Sequence, residues 1–475
     1  MLTVDINLTC CYYTEIDTMK NNHIPLKNQK FILKKPNFDI IDESKITQIF
    51  RDHTEKYRKI VNSANQPQYI YWDKFQHKAK DEELSITEQW LLVKIIRDTV
   101  SIETPIKSED GKNFRWVKLA MVDEYLHKID MLMGGKIFPI SKLPIDNKES
   151  FINRGIVEEA IASSQLEGAH TTRVAAKKFI SEKRKPQNES EQMILNNYKA
   201  MLALEENFKS RSLSKKFLFE LHSILTNKTV KKSEQKRFRR DSDSIVIQGL
   251  IGSEMYTAHV PPNEKFLDSE IERLILYAND QLENKFTHPI VKAIFIHFWI
   301  GYLHPFTDGN GRIARSLFYW YLLKNDYWAF SYIPISTVIK KSPAQYAMAY
   351  IYTEQDSNDL TYFFDYQIKK IDQAITEFEN YFEKKLKQNK NIDKILNNKV
   401  NLNERQKQLL HYFISDKNGS TTTTTHSEIN TISRQTSAKD LKKLEKIGLV
   451  KSYREGKFTK YQATKKLIEM SKKNR

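Results

Sequence analysis

The 475-residue sequence has only two cysteines, Cys10 and Cys11, and they are adjacent. Such a pair frames neither a disulfide scaffold nor a zinc site. A reducing, cytoplasmic setting is the expectation. Glycine and proline are scarce, 13 of each, which argues against long disordered linkers. There is no run of about 18 apolar residues, so no membrane partner or membrane span is expected. The opening MLTVDINLTCCYY lacks a basic stretch followed by an apolar one, so no signal peptide is expected either.

What is present is large and apolar. The residues are 40% hydrophobic, and 25 Phe with 23 Tyr supply wide buried surfaces. The length exceeds one ordinary core and predicts two to four domains. A formal net charge of +17 suits nucleotide or nucleic-acid partners. Charge alone is better read as a lysine-rich solvated surface.

The pattern predicts a mainly α protein in three parts. Residues 1–140 form an α+β region. There ITEQWLLVKIIRDTV (86–100) reads as a helix with Trp90, Leu91, Val93 and Ile96 toward a core. The aromatic QYIYWDKFQHKA (68–79) reads as a packing cluster rather than a substrate platform. Residues 145–388 are almost wholly helical, interrupted by a hairpin over 244–260 that turns around Gly249 to Gly252. A polar linker at 389–403 leads to a module at 400–475 with three helices and two strands around Gly456.

The stretch HPFTDGNGRIAR (304–315) breaks two greasy helices with charge and turn residues. Pro305 ends the first helix, which places His304 at its exit with the ring exposed to the loop. Gly309, Asn310 and Gly311 accept positive φ and leave backbone N–H groups uncovered. A helix starting near Arg312 offers a positive N-terminus suited to phosphate. Arg312 and Arg315 stand one turn apart with forks that match phosphate oxygens. Asp308 is placed to hold Mg²⁺ between phosphates, and His304 to act as general base toward a hydroxyl. So many reactive types within 12 residues favour a site over a plain helix connection.

This stretch resembles the Fic family signature, H-x-F-x-[DE]-G-N-G-R-x-x-R, at every defined position. The resemblance extends over roughly 150–385, and the lead-in helix shares His288, Pro289, Ala293 and His297 with it. It implies a helical core with a β-hairpin flap. It also implies transfer of AMP from ATP to a Ser, Thr or Tyr hydroxyl of a target protein, with Mg²⁺ and release of pyrophosphate. By that resemblance His304 is the base and Asp308 the metal ligand. Gly309, Asn310 and Gly311 form the anion hole, Arg312 and Arg315 hold the outer phosphates, and Phe306 anchors the loop. Gly311 stands where a kinase-like relative carries lysine, which favours adenylyl transfer.

Three further features belong with this resemblance. SSQLEGAH holds Ser163, Glu167 and Gly168 in the pattern of the family's inhibitory motif, [ST]-x-x-x-E-[GN]. An acid ending a helix near Arg315 would compete with the γ-phosphate; the same glutamate would orient a water for removal of AMP. Ile245, Val246, Ile247 and Gly249 match the flap, whose exposed strand would pair with an extended target segment. The turn before it, KRFRR (236–240), keeps Phe238 and Arg239 but has Lys236 where the family has glycine. Tyr346 falls where the family places an adenine-contacting tyrosine.

Residues 432–464 resemble a winged helix, with Ser433, Arg434, Gln435, Thr436, Lys439, Lys442 and Lys443 on the recognition helix facing DNA. The bland alternative is a protein-binding or dimerisation module. The partners expected are therefore ATP, a hydroxyl-bearing protein target, DNA and a second copy of the chain in a homo-oligomer. The rival from another class is a DNA-binding regulator whose Fic-like part senses nucleotide and has little activity. An intact His304 and Asp308 favour the enzyme.

Overall fold

A computed structural model describes residues 6–9, 30–38, 54–78, 83–134, 145–182, 184–251, 254–282, 285–395, 400–416, 419–430, 432–456 and 458–473. Cys10, Cys11 and Gly252 lie outside the described residues. In chain order come β1 (Ile6–Thr9), α1 (Thr54–Asn65), α2 (Trp72–Phe75), α3 (Ile86–Val100), β2 (Ile102–Lys107), β3 (Asn113–Trp116) and α4 (Val122–Ile129). Next are α5 (Ile145–Leu166), α6 (Arg173–Glu182), α7 (Glu189–Ala203), α8 (Lys215–Leu225), β4 (Ile247–Ile251), β5 (Glu254–His259), α9 (Glu264–Ala278) and α10 (Pro289–Leu303). After these follow α11 (Asn310–Lys324), α12 (Ile335–Ile339), α13 (Pro343–Gln355), α14 (Thr361–Ile395) and α15 (Glu404–Ser415). The chain closes with β6 (Ser420–Thr422), α16 (Thr423–Asn430), α17 (Arg434–Lys446), β7 (Val450–Glu455), β8 (Phe458–Ala463) and α18 (Lys465–Lys473). The mainly α class holds. The expected linker at 389–403 begins later than its polar composition indicated, because α14 continues through Ile395.

The elements group into two compact units. The first comprises 1–130, 204–327 and 338–372. Its centre is the pair α10 and α11. Helix α10 is buried on nearly every residue, as an all-round apolar helix requires. It starts cleanly, with the His288 side chain accepting from the Ile290 N–H and Pro289 in the first turn, where its missing donor costs nothing. Trp299 and Trp320 lie wholly inside. The N-terminal aromatics pack as expected of a core cluster. Tyr69, Ile70, Tyr71, Trp72 and Phe75 are all buried, and the Arg97 guanidinium lies 3.6 Å from the Tyr69 ring centroid. Arg97 keeps its buried charge hydrogen-bonded to the Ala64 and Ile70 carbonyls and the Tyr362 hydroxyl. On α3, Leu92 and Arg97 take core positions that the helical pattern assigned to Leu91 and Ile96, which are only half-buried.

The hairpin β4–β5 forms a three-stranded antiparallel sheet with β1, in the order β1-β4-β5. Gly249 lies within β4 opposite Tyr256, and the chain reverses between Ile251 and Glu254, at the far end of the expected span.

The second unit comprises 131–203, 328–337 and 373–475. Helices α5, α6 and α7 share a core of Val157, Ile161, Ala176, Phe179, Ile180 and Ile194. Two contacts fix α5 lengthwise. At Gly155 a Cβ would meet the Ser331 carbonyl oxygen at 2.6 Å, so only glycine allows this approach. Four residues on, the buried Glu159 carboxylate accepts from the Ser336 N–H at 2.9 Å and from the Ser336 hydroxyl. The C-terminal residues build their own core from α15, α17, α18 and the sheet β6-β8-β7, around Leu410, Phe413, Leu441, Leu444 and Leu467. Helix α16 packs on α17 and also on α6.

Candidate active site

The loop 304–309 joins the two buried central helices, and its conformation is determined by side chains beneath it. His304 terminates α10 with φ 45° and ψ 59°, a left-handed residue following its own bond to the Ile300 carbonyl. The expected helix exit is there, but the expected exposure is not: His304 is 9% exposed. Burial, with the charges of His259 and Arg239 adding to it, pushes the His304 imidazole down to about 3. The ring is therefore neutral at ordinary pH.

Arg239 supports this residue from below. Its Nε donates to the His304 carbonyl at 2.8 Å and its backbone N–H to the Pro305 carbonyl at 2.8 Å. Its terminal nitrogen donates to Leu303 and Pro262 carbonyls. Next, Asn310 clasps Phe306 in both directions. The Phe306 N–H donates to Asn310 Oδ1, and Asn310 Nδ2 donates to the Phe306 carbonyl, each at 2.8 Å. Phe306 is fully buried among Phe219, Phe238 and the His222 ring, the anchor that the signature implied.

The last turn of α8 forms the loop's other support. His222 Nε2 lies 3.0 Å from the Asp308 carbonyl, and the Leu225 carbonyl accepts from Arg312 at 2.9 Å. Arg312 also bonds the Asp308 carboxylate at 3.0 Å and is wholly buried. Its guanidinium thus ties the loop to α8. Arg315, one turn on, is also buried, and its charge helps hold His297 down to about 3, after burial itself. Gly309 begins α11 at φ 83°, and a Cβ there would come within 3.0 Å of Thr226. Glycine meets both demands at once. Gly311 follows in the first turn of α11, so the loop delivers a helix N-terminus with its unpaired donors.

Residues 212–322 match the Fic/DOC family. The chain carries a Fic domain. It is 44% identical over 62 residues to the Protein adenylyltransferase Fic of Nematostella vectensis, 12% of this chain and 14% of that protein. It is 35% identical over 69 residues to the protein of the same name from Drosophila grimshawi, 14% of each chain. These matches span about one seventh of the relatives' lengths. A Fic family protein from Desulfovibrio desulfuricans G20 is similar in structure, with a TM-score of 0.45 and 17% identity over 74% of this chain and 97% of that one. Fic-1 (residues 134–508) from C. elegans has a TM-score of 0.45 and 15% identity over 71% and 84% of the two chains.

The remaining expected residues take these places. Tyr346 donates to or accepts from His297 Nε2 at 2.8 Å and packs beside the Tyr350, Phe363 and Tyr366 rings. In the Fic domain's hairpin, Ile247 and Gly249 sit in β4, and Ile245 and Val246 lead into it. The β4 edge expected to stand open pairs with residues 6–9, Leu8 opposite Gly249 and Thr9 opposite Gln248. In the second unit, Glu167 and Gly168 close α5 with a Schellman turn: Gly168 has φ 93°, its N–H donates to Gln165 and the Ala169 N–H to Ser164. Ser163 is buried on α5. In the C-terminal part, Ser433 caps α17, and Arg434, Gln435, Lys439, Lys442 and Lys443 are exposed, with Thr436 half-buried.

The braces His222, Arg239 and Asn310's clasp were not assigned these roles by sequence reasoning. In the sequence Arg239 stands out only as part of KRFRR. The one signal for His222 was a histidine on the apolar face of LSKKFLFELHSILTN.

Proposed function

We propose that this chain is a protein adenylyltransferase that moves AMP from ATP to a hydroxyl side chain of a target protein. The reading rests chiefly on one observation: the loop HPFTDGNGRIAR places a neutral, buried His304 and an acid, Asp308, immediately before the N-terminus of α11, whose first N–H groups have no partner within the helix. His304 takes the proton as the target oxygen attacks the α-phosphorus. A new phosphorus–oxygen bond forms, the bond to the β-phosphate oxygen breaks, and pyrophosphate leaves. Anionic phosphates beside His304 raise its affinity for that proton toward the useful range. The backbone N–H groups of Gly309, Asn310 and Gly311 stabilise charge on the phosphate oxygens. Arg315 takes the outer phosphates, and Arg312 adds its charge while holding the loop.

Mg²⁺ fits Asp308. Its Oδ2 takes Arg312, and one carboxylate plus substrate phosphates is the usual protein share of a Mg²⁺ site. When bound, the ion neutralises phosphate charge. Glu167 acts as a brake by competing with the γ-phosphate for Arg315, and can orient a water for removal of AMP. The flap strand β4 offers backbone pairing to an extended target segment once β1 is displaced. Tyr346 borders the nucleotide.

Incubation with α-labelled ATP and Mg²⁺ tests the reading. Label should appear on protein in Glu167→Gly, less in wild type, and none when His304→Ala is added. Labelling that survives His304→Ala, or none in Glu167→Gly, overturns it.

A second activity is supported by the exposed basic residues of α17 beside the β7–β8 hairpin. This arrangement suits a winged helix on DNA. A gel shift of the full chain across a salt series should show binding that weakens as salt rises and is lost in Arg434→Ala/Lys439→Ala. Binding insensitive to both overturns it.

A further inference from the structure

One residue of α8 reaches the loop from beneath, at the peptide that opens the anion hole. His222 is wholly buried on α8, and its Nε2 lies 3.0 Å from the carbonyl oxygen of Asp308. Its ring stacks face to face on Phe306, with centroids 3.9 Å apart and planes 7° from parallel. Nδ1 is buried without a hydrogen-bond partner among the described residues. A carbonyl oxygen can only accept, so the ring nitrogen that faces it, Nε2, carries the proton and Nδ1 keeps its lone pair.

In a trans peptide the C=O and the following N–H point in opposite directions across the plane. Tying the Asp308 carbonyl toward α8 therefore aims the Gly309 N–H away from α8. Two neighbours reinforce the same plane. Arg312 joins the Leu225 carbonyl to the Asp308 carboxylate, and Thr226 crowds the Gly309 α-carbon so closely that no side chain fits. Stacking on Phe306 stops the imidazole from turning its edge away from the carbonyl.

We propose that His222 is a positioning residue for adenylyl transfer, holding the Asp308–Gly309 peptide plane so that the Gly309 N–H faces the substrate phosphates. The proposal rests on the nucleotide reading above for its ligand, and on the loop geometry alone for its mechanism. His222 does not touch substrate. It acts through the peptide it holds.

Two substitutions separate donor from ring. His222→Phe keeps an aromatic stack on Phe306 and loses the donor. His222→Gln loses the stack and keeps an amide N–H within reach of the carbonyl. In full-length protein, calorimetric affinity for ATP–Mg²⁺ should fall about tenfold in His222→Phe and recover to within about threefold in His222→Gln. Affinity for adenosine, which has no phosphate, should stay the same in all three. Equal ATP affinity in wild type and His222→Phe, or equal losses in both variants, overturns the proposal.

Hydrogen exchange of the peptide spanning 304–312 gives a readout independent of nucleotide. It should quicken in His222→Phe and not in His222→Gln. A wild type that binds no ATP would sink the nucleotide reading, while the exchange comparison still decides the role of His222. If His222→Phe does not fold, nitrogen-15 spectra of the wild-type histidines decide instead. A proton on Nδ1 of His222, rather than on Nε2, overturns the assignment.

Discussion

The guanidinium of Arg239 donates to the carbonyl of His304 at 2.8 Å, while the Arg239 N–H donates to Pro305. A residue 65 positions earlier in the chain thus fixes the backbone of the proposed base. Arg239→Ala leaves the Leu303, His304 and Pro262 carbonyls short of a buried donor. The expected cost is on the order of 3 kcal/mol, read from urea denaturation. Arg239→Lys should recover part of it, because one ammonium reaches fewer of the three. An unchanged midpoint in Arg239→Ala would mean the contacts contribute nothing.

The two-way clasp between Asn310 and Phe306 makes an asymmetric prediction. Asn310→Ala removes both bonds and should destabilise by roughly 1–3 kcal/mol. Asn310→Asp keeps the acceptor for the Phe306 N–H but sets a carboxylate against the Phe306 carbonyl in a buried site. It should cost more than alanine. The order of the two thermal midpoints checks this, and the reverse order counts against the clasp.

Three histidines predict a pH dependence of stability. Burial first of all holds His222 at about 4, and His297 and His304 at about 3, in the folded chain. The unfolded value is about 6.5, so between these limits the unfolded chain binds protons that the folded chain refuses. Stability is therefore present in full above pH 6.5 and falls as pH drops through the window. Each histidine contributes a slope of about 1.4 kcal/mol per pH unit, so three give about 4. Denaturant titrations at pH 7.5, 6 and 5 should show the decline, and His297→Asn should flatten part of it. A flat profile would remove the premise that these rings stay neutral.

Lys236 occupies a backbone position with φ 62°. Left-handed geometry costs a residue with a side chain roughly 1–2 kcal/mol, part of which glycine's unfolded-state freedom takes back. Lys236→Gly should stabilise by about 0.5–1 kcal/mol. The measurement is a denaturation midpoint, and a decrease would show that the lysine side chain contributes more than the turn strains.

Gly301 lies inside α10, where alanine is normally better by about 1 kcal/mol. Here a Cβ would meet the Tyr350 hydroxyl at 2.3 Å and its ring at 2.7 Å. Gly301→Ala should therefore destabilise, by roughly 1–3 kcal/mol, and adding Tyr350→Ala should relieve the clash. If the double variant is no better than the sum of the singles, the tyrosine is not the obstacle.

The 304–315 loop was legible because its chemistry is contiguous. Turn residues, cations and the acid all fall within one turn-and-helix stretch, and local backbone rules place them. The braces were not legible, because His222, Arg239 and Leu225 reach the loop from distant positions and only folding brings them together. Lys236 shows the boundary well. The sequence marked a missing glycine, and the turn nonetheless adopts positive φ with lysine in place. His304 went the other way. Its place at the helix exit follows from Pro305, but its burial depends on packing around it that no local rule contains. The flap behaved similarly: alternation found the hairpin, while the partner strand at residues 6–9 lies some 240 residues away and carries no local signal.

Helix α5 ends in the Schellman turn that carries Glu167, and it is anchored near its middle at Gly155 and Glu159. A slide of one whole turn would carry the helix about 5.4 Å. Such a slide would drive the carbonyl of Ser331 into a side chain and strip Ser336 of its acceptor. These two contacts oppose travel of the helix as a rod. Movement of Glu167 then requires the helix to unwind beyond Glu159, from its C-terminal end. Exchange protection should accordingly stay high at 155–161 and be lowest at 164–169, whatever state the loop is in.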